Sequence, residues 1–263
     1  MNLNDPIGIF DSGVGGTSIW QEIHQLLPFE NTIYLADSLN APYGNKTAEE
    51  IVQLSIKNTE KLLELGSKII VVACNTATTN AITILRRAYN IPIIGIEPAI
   101  KPAALKTKTK SIGILATKGT LSSALFYRTS ETFTKDIKVM EVVGEGLVPL
   151  IELGDLDSPE LRTLLHKYIE PMIAAEIDHL VLGCSHYPYL IPILRTMLPD
   201  SVTIIDSGEA VARQTQNLLQ LHGLMREERS APQLQFYTNA EPGTLQMLLQ
   251  RYSREIQIEK KAF

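Results

Sequence analysis

Residues 69–82 read IIVVACNTATTNAI. Ile69, Ile70, Val71 and Val72 form a β-branched apolar run, the pattern of a strand buried on both faces, and the small and polar residues after it read as the start of a helix. Cys74 therefore stands where a strand stops, beside Asn75 and Thr76, whose side chains can hold a polar ligand while backbone N–H groups point out of the coming helix. In open α/β sheets that edge is where ligands bind. Residues 179–191, HLVLGCSHYPYLI, repeat the arrangement: an apolar strand, Cys184, the polar pair Ser185 and His186, then an apolar helical run. The chain has only two cysteines, and they occupy equivalent points of two similar units.

Working outward, IGIF (7–10) reads as a buried strand and DSGVGG (11–16) as a tight turn, in which Gly13, Gly15 and Gly16 expose amides before a helix over Thr17–Leu27. The lysine and hydroxyl of a Walker loop are absent, as is the spacing of a dinucleotide fingerprint. Thr32–Ala36 reads as a strand and DSLNAPYGNKT (37–47) as a polar loop. Thr47 with Glu50 is a capping box, predicting a helix over Ala48–Leu65 that Gly66 ends. Beyond Cys74 a helix runs to about Tyr89, and IPIIGI (91–96) reads as another strand closing on Glu97-Pro98.

SIGILATKGTLSSALF (111–126) then repeats the opening, IGIL with a polar turn matching IGIF with a polar turn. IKVMEVV (137–143) reads as a strand, EGLVPLIELGD (145–155) as a helix or loop, Ser158-Pro159-Glu160 as a helix start, and VTIID (202–206) as a strand. In the tail, Glu209–Leu221 reads as a helix, HGLMREERSAP (222–232) as a charged exposed loop, LQFYTN (234–239) and EIQIE (255–259) as strands, and Pro242–Arg251 as helical. The tail is too short for a third domain and returns to complete the first unit. The expected fold is α/β, two pseudo-symmetric domains with mostly parallel sheets and an interdomain active site: residues 1–98 with 208–263, and residues 99–207.

Composition narrows the class. With 263 residues, 44% hydrophobic and 20% charged, the chain has material for a full core and is neither disordered nor fibrous. A net charge of −5 without a basic patch argues against a nucleic-acid partner. MNLNDPIGIF has no secretory pattern, and no apolar run approaches the roughly 20 residues of a membrane helix, so a cytoplasmic protein with free thiols is expected.

If the two units close face to face, both cysteines can flank one small ligand. A thiolate on one side can remove a proton from a carbon acid while a thiol on the other delivers one to the opposite face, inverting the centre without a redox cofactor. A thiol near pKa 8.5 makes both states accessible at neutral pH. Asp11 stands to take or orient the proton of Cys74, and His186 that of Cys184, with Glu152 as an additional acid or base; otherwise Glu152 is the polar side of an amphipathic turn. Ser12, Asn75, Thr76, Thr117 and Ser185 supply short donors that grip carboxylates. Cys–His nucleophilic hydrolysis stays open but leaves Cys74 unexplained. Two thiols without CxxC spacing make a zinc site a poor fit, a redox pair favours cysteines closer in sequence, and a non-enzymatic binding protein could use the same cleft.

FDSGVGG (10–16), DSLNAPYGNKT (37–47), ACNTAT (73–78), IGIEPAIKPA (95–104) and LGCSHYP (182–188) together closely resemble the glutamate racemases of the cofactor-independent amino-acid racemase superfamily, across nearly the whole chain. The resemblance implies glutamate bound between two α/β domains without pyridoxal phosphate. It implies that Cys74 takes the α-proton of D-glutamate, assisted by Asp11, and that Cys184 takes that of L-glutamate, assisted by His186 and Glu152. Substrate binding carries over to Asp11, Ser12, Pro42, Tyr43, Gly44, Asn75, Thr76, Thr117, Ser185 and His186. Ser185 departs from the threonine common at that position, keeping the hydroxyl and losing the methyl. The family supplies D-glutamate for peptidoglycan in the bacterial cytoplasm; its members are often homodimers, and some respond to an allosteric cell-wall precursor, neither of which these residues reveal.

Overall fold

The computed structural model describes residues 2–263. Its strands are β1 (Ile7–Asp11), β2 (Thr32–Ala36), β3 (Ile69–Val72), β4 (Ile93–Gly95), β5 (Ser111–Ala116), β6 (Lys138–Val143), β7 (His179–Gly183), β8 (Thr203–Ile205), β9 (Leu234–Thr238) and β10 (Ile256–Lys260). They form a six-stranded sheet ordered β10-β9-β2-β1-β3-β4 and a four-stranded sheet ordered β6-β5-β7-β8. Every pairing is parallel.

The order β2-β1-β3-β4 in one sheet equals β6-β5-β7-β8 in the other, so the two domains are pseudo-symmetric. In each, the chain moves outward by one strand, crosses back over the first, and continues on the other side. The reversal lies between β1 and β3 in the first sheet and between β5 and β7 in the second, and ligand crevices of doubly wound sheets form at the C-terminal ends of such pairs. Asp11 and Cys74 stand at one of these points, Thr117 and Cys184 at the other.

The central strands β1, β3 and β5 are buried along their whole length, as their unbroken apolar runs require, whereas the edge strand β6 alternates toward solvent. Helix Gly208–Leu221 places Val211, Ala212 and Leu219 in one core with Ile19, Trp20 and Ile23 of helix Thr17–Leu26. β9 pairs with β2 and β10 with β9, so the tail extends the first sheet. A separate core under the second sheet holds Leu115, Ile151, Leu165, Leu182 and Tyr187.

The capping box forms at Thr47 and Glu50, and Gly66 takes a positive φ of 82° after helix Ala48–Glu64. Two local expectations change. The apolar run after Cys184 opens as a 3₁₀ turn, Tyr187–Leu190, before helix Ile191–Met197, because Pro188 and Pro192 cannot donate within a helix and suit only its first turn. The strand expected over 91–96 shortens to Ile93–Gly95 beyond Pro92. The 222–232 segment is a loop exposed over most of its length, as expected, and it is anchored where Leu224 is buried and the Arg226 N–H donates to Glu30 Oε1 (2.8 Å), whose other oxygen pairs with buried Lys68 at 2.6 Å.

Candidate active site

Asp11 is the last residue of β1, and Ser12 follows it. Cys74 caps helix Asn75–Ala88; its sulfur accepts from the Ala77 N–H (3.4 Å) and donates to Ser12 Oγ (3.6 Å). A side chain at that position replaces one of the bonds missing from a helix start, so its direction is set by the helix it caps. Across the seam, Cys184 follows β7, and its sulfur lies 3.8 Å from His186 Nδ1. The turn that the Tyr187 N–H closes on the Cys184 carbonyl (3.1 Å) brings the i and i+2 side chains together, a contact that their spacing in the sequence does not assure.

Glu152 ends helix Leu147–Glu152 and completes the second cluster. Its Oε1 bonds His186 Nε2 (2.5 Å) and accepts the Val14 N–H (2.7 Å), while Oε2 accepts from Ser38 Oγ (2.9 Å). Ser185 Oγ reaches over to donate to Asp11 Oδ1 (2.8 Å), and the Gly13 N–H donates to Oδ2 (2.9 Å). All five expected catalytic side chains are therefore assembled from two sheets into one cluster. The glycine-rich turn serves this assembly by leaving room. A Cβ on Gly13 would lie 1.8 Å from Glu152 Oε1, and one on Gly15 would lie 2.2 Å from His186 Nδ1. Of the turn's amides, Val14 N–H is spent on Glu152.

The electrostatics differ on the two sides. Burial raises the Asp11 carboxyl to about 6, against the opposing pull of His186 and of the Ser185 hydroxyl. Burial, then the charge of Asp11, pushes the Cys74 thiol well up, which keeps its proton on the sulfur. For His186, burial acts downward, but the hydrogen bonds to Cys184 and Glu152 outweigh it and hold the ring well above its ordinary value, hence as imidazolium. An imidazolium stabilises negative charge on a neighbouring sulfur. One side thus presents a buried thiol that keeps its proton, and the other a cysteine beside an imidazolium. Asp11 acts on Cys74 through charge, since the sulfur's hydrogen bonds go to Ser12 and Ala77.

Asn75 is 2% exposed, and neither its amide oxygen nor its nitrogen has a hydrogen-bond partner. A buried amide in that condition costs on the order of 1–3 kcal/mol unless a ligand satisfies it. Thr76 meets Thr117 across the seam, Oγ1 to Oγ1 at 2.7 Å, with Thr120 Oγ1 3.0 Å from Thr117. Pro42 and Gly44 line a cavity of about 260 Å³ at the mouth of the seam, shared with Thr117, Lys118 and Gly144. Tyr43 turns inward: its hydroxyl donates to buried Asp37 and accepts from Asn58 Nδ2 (3.0 Å), leaving only its backbone for a ligand. A larger hollow of about 660 Å³, lined by Met247, Leu249, Ile256 and Ile258, lies at the β10 edge and holds none of these groups. Among the described residues no cluster of three His, Cys, Asp or Glu side chains is disposed to hold a metal ion. No helix there is long and apolar enough to cross a membrane.

Several contributors escape a reading of the sequence. Ser38 and Val14 hold Glu152, and Asn40, Asn58 and Asn239 converge with Tyr43 on Asp37 to brace the 37–47 loop. For Ser38 and Asn40 the only signal is the density of Asn, Asp and Ser in DSLNAPYGN, which reads equally well as an ordinary turn, and Val14, Asn58 and Asn239 lie outside that stretch and carry none.

Residues 7–215 match the family described as Asp/Glu/Hydantoin racemase. A glutamate racemase of Ectopseudomonas mendocina is 51% identical over 84% of this chain and 84% of its own length, and one of Pseudomonas syringae pv. tomato is 51% identical over 84% and 80%. Among solved structures, a glutamate racemase isoform of Bacillus anthracis superposes with a TM-score of 0.87 at 30% identity, covering 100% of this chain and 99% of that one. The Escherichia coli glutamate racemase, solved with L-glutamate and the activator UDP-MurNAc-ala, gives 0.86 at 33% identity and 98% of both chains.

Proposed function

The chain belongs to the Asp/Glu/hydantoin racemase family and, within it, to the glutamate racemases; from that premise we propose that it interconverts L- and D-glutamate by proton transfer between Cys74 and Cys184. The observation that carries this reading is the convergence of both thiols, with Asp11, Glu152 and His186, on one seam between matching sheet edges. In this reading residues 2–98 with 208–263 form one lobe and 99–207 the other. Neither cysteine is more than 6% exposed, so substrate enters when the lobes part.

In the L-to-D direction, Cys184 as thiolate removes the α-proton, and the adjacent His186–Glu152 pair steadies the charge before and after the transfer. Cys74, held as a thiol by burial and by Asp11, delivers its proton to the opposite face. The reverse reaction exchanges the roles, with Cys74 as the thiolate that removes the α-proton, Ser12 and the Ala77 N–H beside its sulfur and Asp11 acting on it through charge. Asn75, Thr76, Thr117, Ser12, Ser185 and the 42–44 backbone hold the carboxylates and the ammonium. The reaction needs neither pyridoxal phosphate nor a metal.

The product serves peptidoglycan synthesis in the cytoplasm. A homodimer, and a response to a precursor of the kind bound to the Escherichia coli enzyme, complete the reading and are tested by light scattering and by titration with that precursor. The central test follows optical rotation and α-deuterium incorporation in deuterated water for both enantiomers of glutamate and of aspartate, with chelator present and pyridoxal phosphate withheld. Glutamate is expected to racemise with solvent deuterium entering the α-position. Preference for aspartate, or a requirement for a metal ion or for pyridoxal phosphate, overturns the reading.

A further inference from the structure

Tyr189 stands three residues beyond His186, and its backbone N–H donates to the His186 carbonyl (3.2 Å). Its phenol crosses the seam to helix Thr17–Leu26, 2.5 Å from Thr17 Oγ1 and 3.1 Å from Gln21 Nε2. The Thr17 hydroxyl donates to the Val14 carbonyl (2.6 Å), so the proton shared with Tyr189 comes from the phenol. Val14 in turn gives its own N–H to Glu152 Oε1 (2.7 Å), the oxygen that holds His186 Nε2 (2.5 Å). These contacts close a ring: His186 backbone, Tyr189, Thr17, Val14, Glu152 and back to the His186 ring. Tyr189, Glu152 and His186 belong to the chain of the second sheet and Thr17 and Val14 to that of the first, so the ring is complete only when the seam is shut.

We propose that Tyr189 is a positioning residue for the Cys184 half of the reaction, its hydroxyl fixing, through Thr17 and Val14, where Glu152 holds His186 against the Cys184 sulfur. The inference rests on the two-thiol reading above. Tyr189 exchanges no proton with the reactant. It ties the loop carrying Cys184 and His186 to the turn whose amide loads Glu152, and the path touches no hydrogen-bond partner of Cys74. Two further tethers cross nearby, Ser18 Oγ to the Ser185 carbonyl (2.8 Å) and Ser185 Oγ to Asp11, so cutting this one loosens the Cys184 side without releasing it.

Tyr189→Phe is expected to lower kcat/KM about tenfold, the size of one lost buried hydrogen bond. The loss is equal for both enantiomers, because the equilibrium constant of a racemisation is unity. The distinguishing readout is the primary isotope effect. With α-deuterated L-glutamate it rises, since proton removal by Cys184 becomes more rate-limiting, and with α-deuterated D-glutamate it falls. Thr17→Val, which cuts the ring from the other lobe, gives the same pattern; Thr17→Ser retains near-native values, and the Tyr189→Phe/Thr17→Val pair is no worse than either alone. A kcat/KM within twofold of wild type in both Tyr189→Phe and Thr17→Val, or a loss that leaves both isotope effects unmoved or shifts them together, overturns the proposal. Wild-type racemisation with isotope effects from both enantiomers tests the two-thiol reading separately, so the two failures are distinguishable.

Discussion

Replacing Gly15 by alanine tests whether the glycine-rich turn serves the chemistry or only the fold. The new Cβ would lie 2.2 Å from His186 Nδ1, 2.4 Å from Cγ and 2.6 Å from Cε1, where ordinary contact begins at 3.4 Å. The ring must therefore withdraw by about 1 Å, and displacements of that size at a reacting group cost about 10²-fold in rate. It has little freedom to do so, since Nε2 is held at 2.5 Å by Glu152, whose carboxylate lies against Gly13. Gly15 does not adopt a left-handed φ, so alanine brings no backbone strain and slightly restricts the unfolded chain. The expected result is a kcat lower by about 10²-fold, equivalent to ~2.7 kcal/mol of barrier, with folding stability lower by about 1–3 kcal/mol from overpacking at the buried ring. Polarimetric rates from each enantiomer and thermal unfolding measure the two quantities. Activity within threefold of wild type would refute the view that the turn is a clearance for His186.

Cys74→Ala and Cys184→Ala are each expected to abolish racemisation while keeping the fold, because one face of the carbon then lacks its proton-transfer group; near-native turnover in either variant, with circular dichroism unchanged, contradicts the assignment. Asp11→Asn is expected to slow turnover by about 10²- to 10⁴-fold, as loss of an acid–base auxiliary does. It should also change the pH dependence of stability. A buried carboxyl raised from 3.8 to about 6 favours the protonated fold, so its contribution is fully present below pH 3.8 and is lost as pH rises through about 6. Urea unfolding at pH 4 and pH 7 should show the wild type losing up to about 3 kcal/mol relative to the variant between these points, and parallel profiles would show that Asp11 is not perturbed.

Much of the molecule was legible locally. The alternation of strands and helices, the strand ends at Asp11, Cys74 and Cys184 and the Thr47–Glu50 cap follow from periodicity and end signals that act over a few residues, and the return of the tail to the first sheet from its being too short for a domain of its own. The Pro188 turn was less so, because a short apolar run after a strand looks the same whether it opens as an α-helix or as a 3₁₀ turn. The catalytic residue types and their spacing also lay in the chain, and with the family resemblance they specified a chemistry before any coordinate did.

What the sequence alone determined is the pair of similar strand-to-helix units and the two thiols at their tips, since both are properties of contiguous residues. Only the tertiary structure decided that Glu152 meets His186, that Ser185 meets Asp11, that Gly13 and Gly15 are gaps for the opposing side chains, and that the Tyr43 hydroxyl is spent on Asp37. Those contacts depend on how two separately folded layers face each other, and the distance between Val14 and Glu152 along the chain carries no trace of the 2.7 Å between them in space.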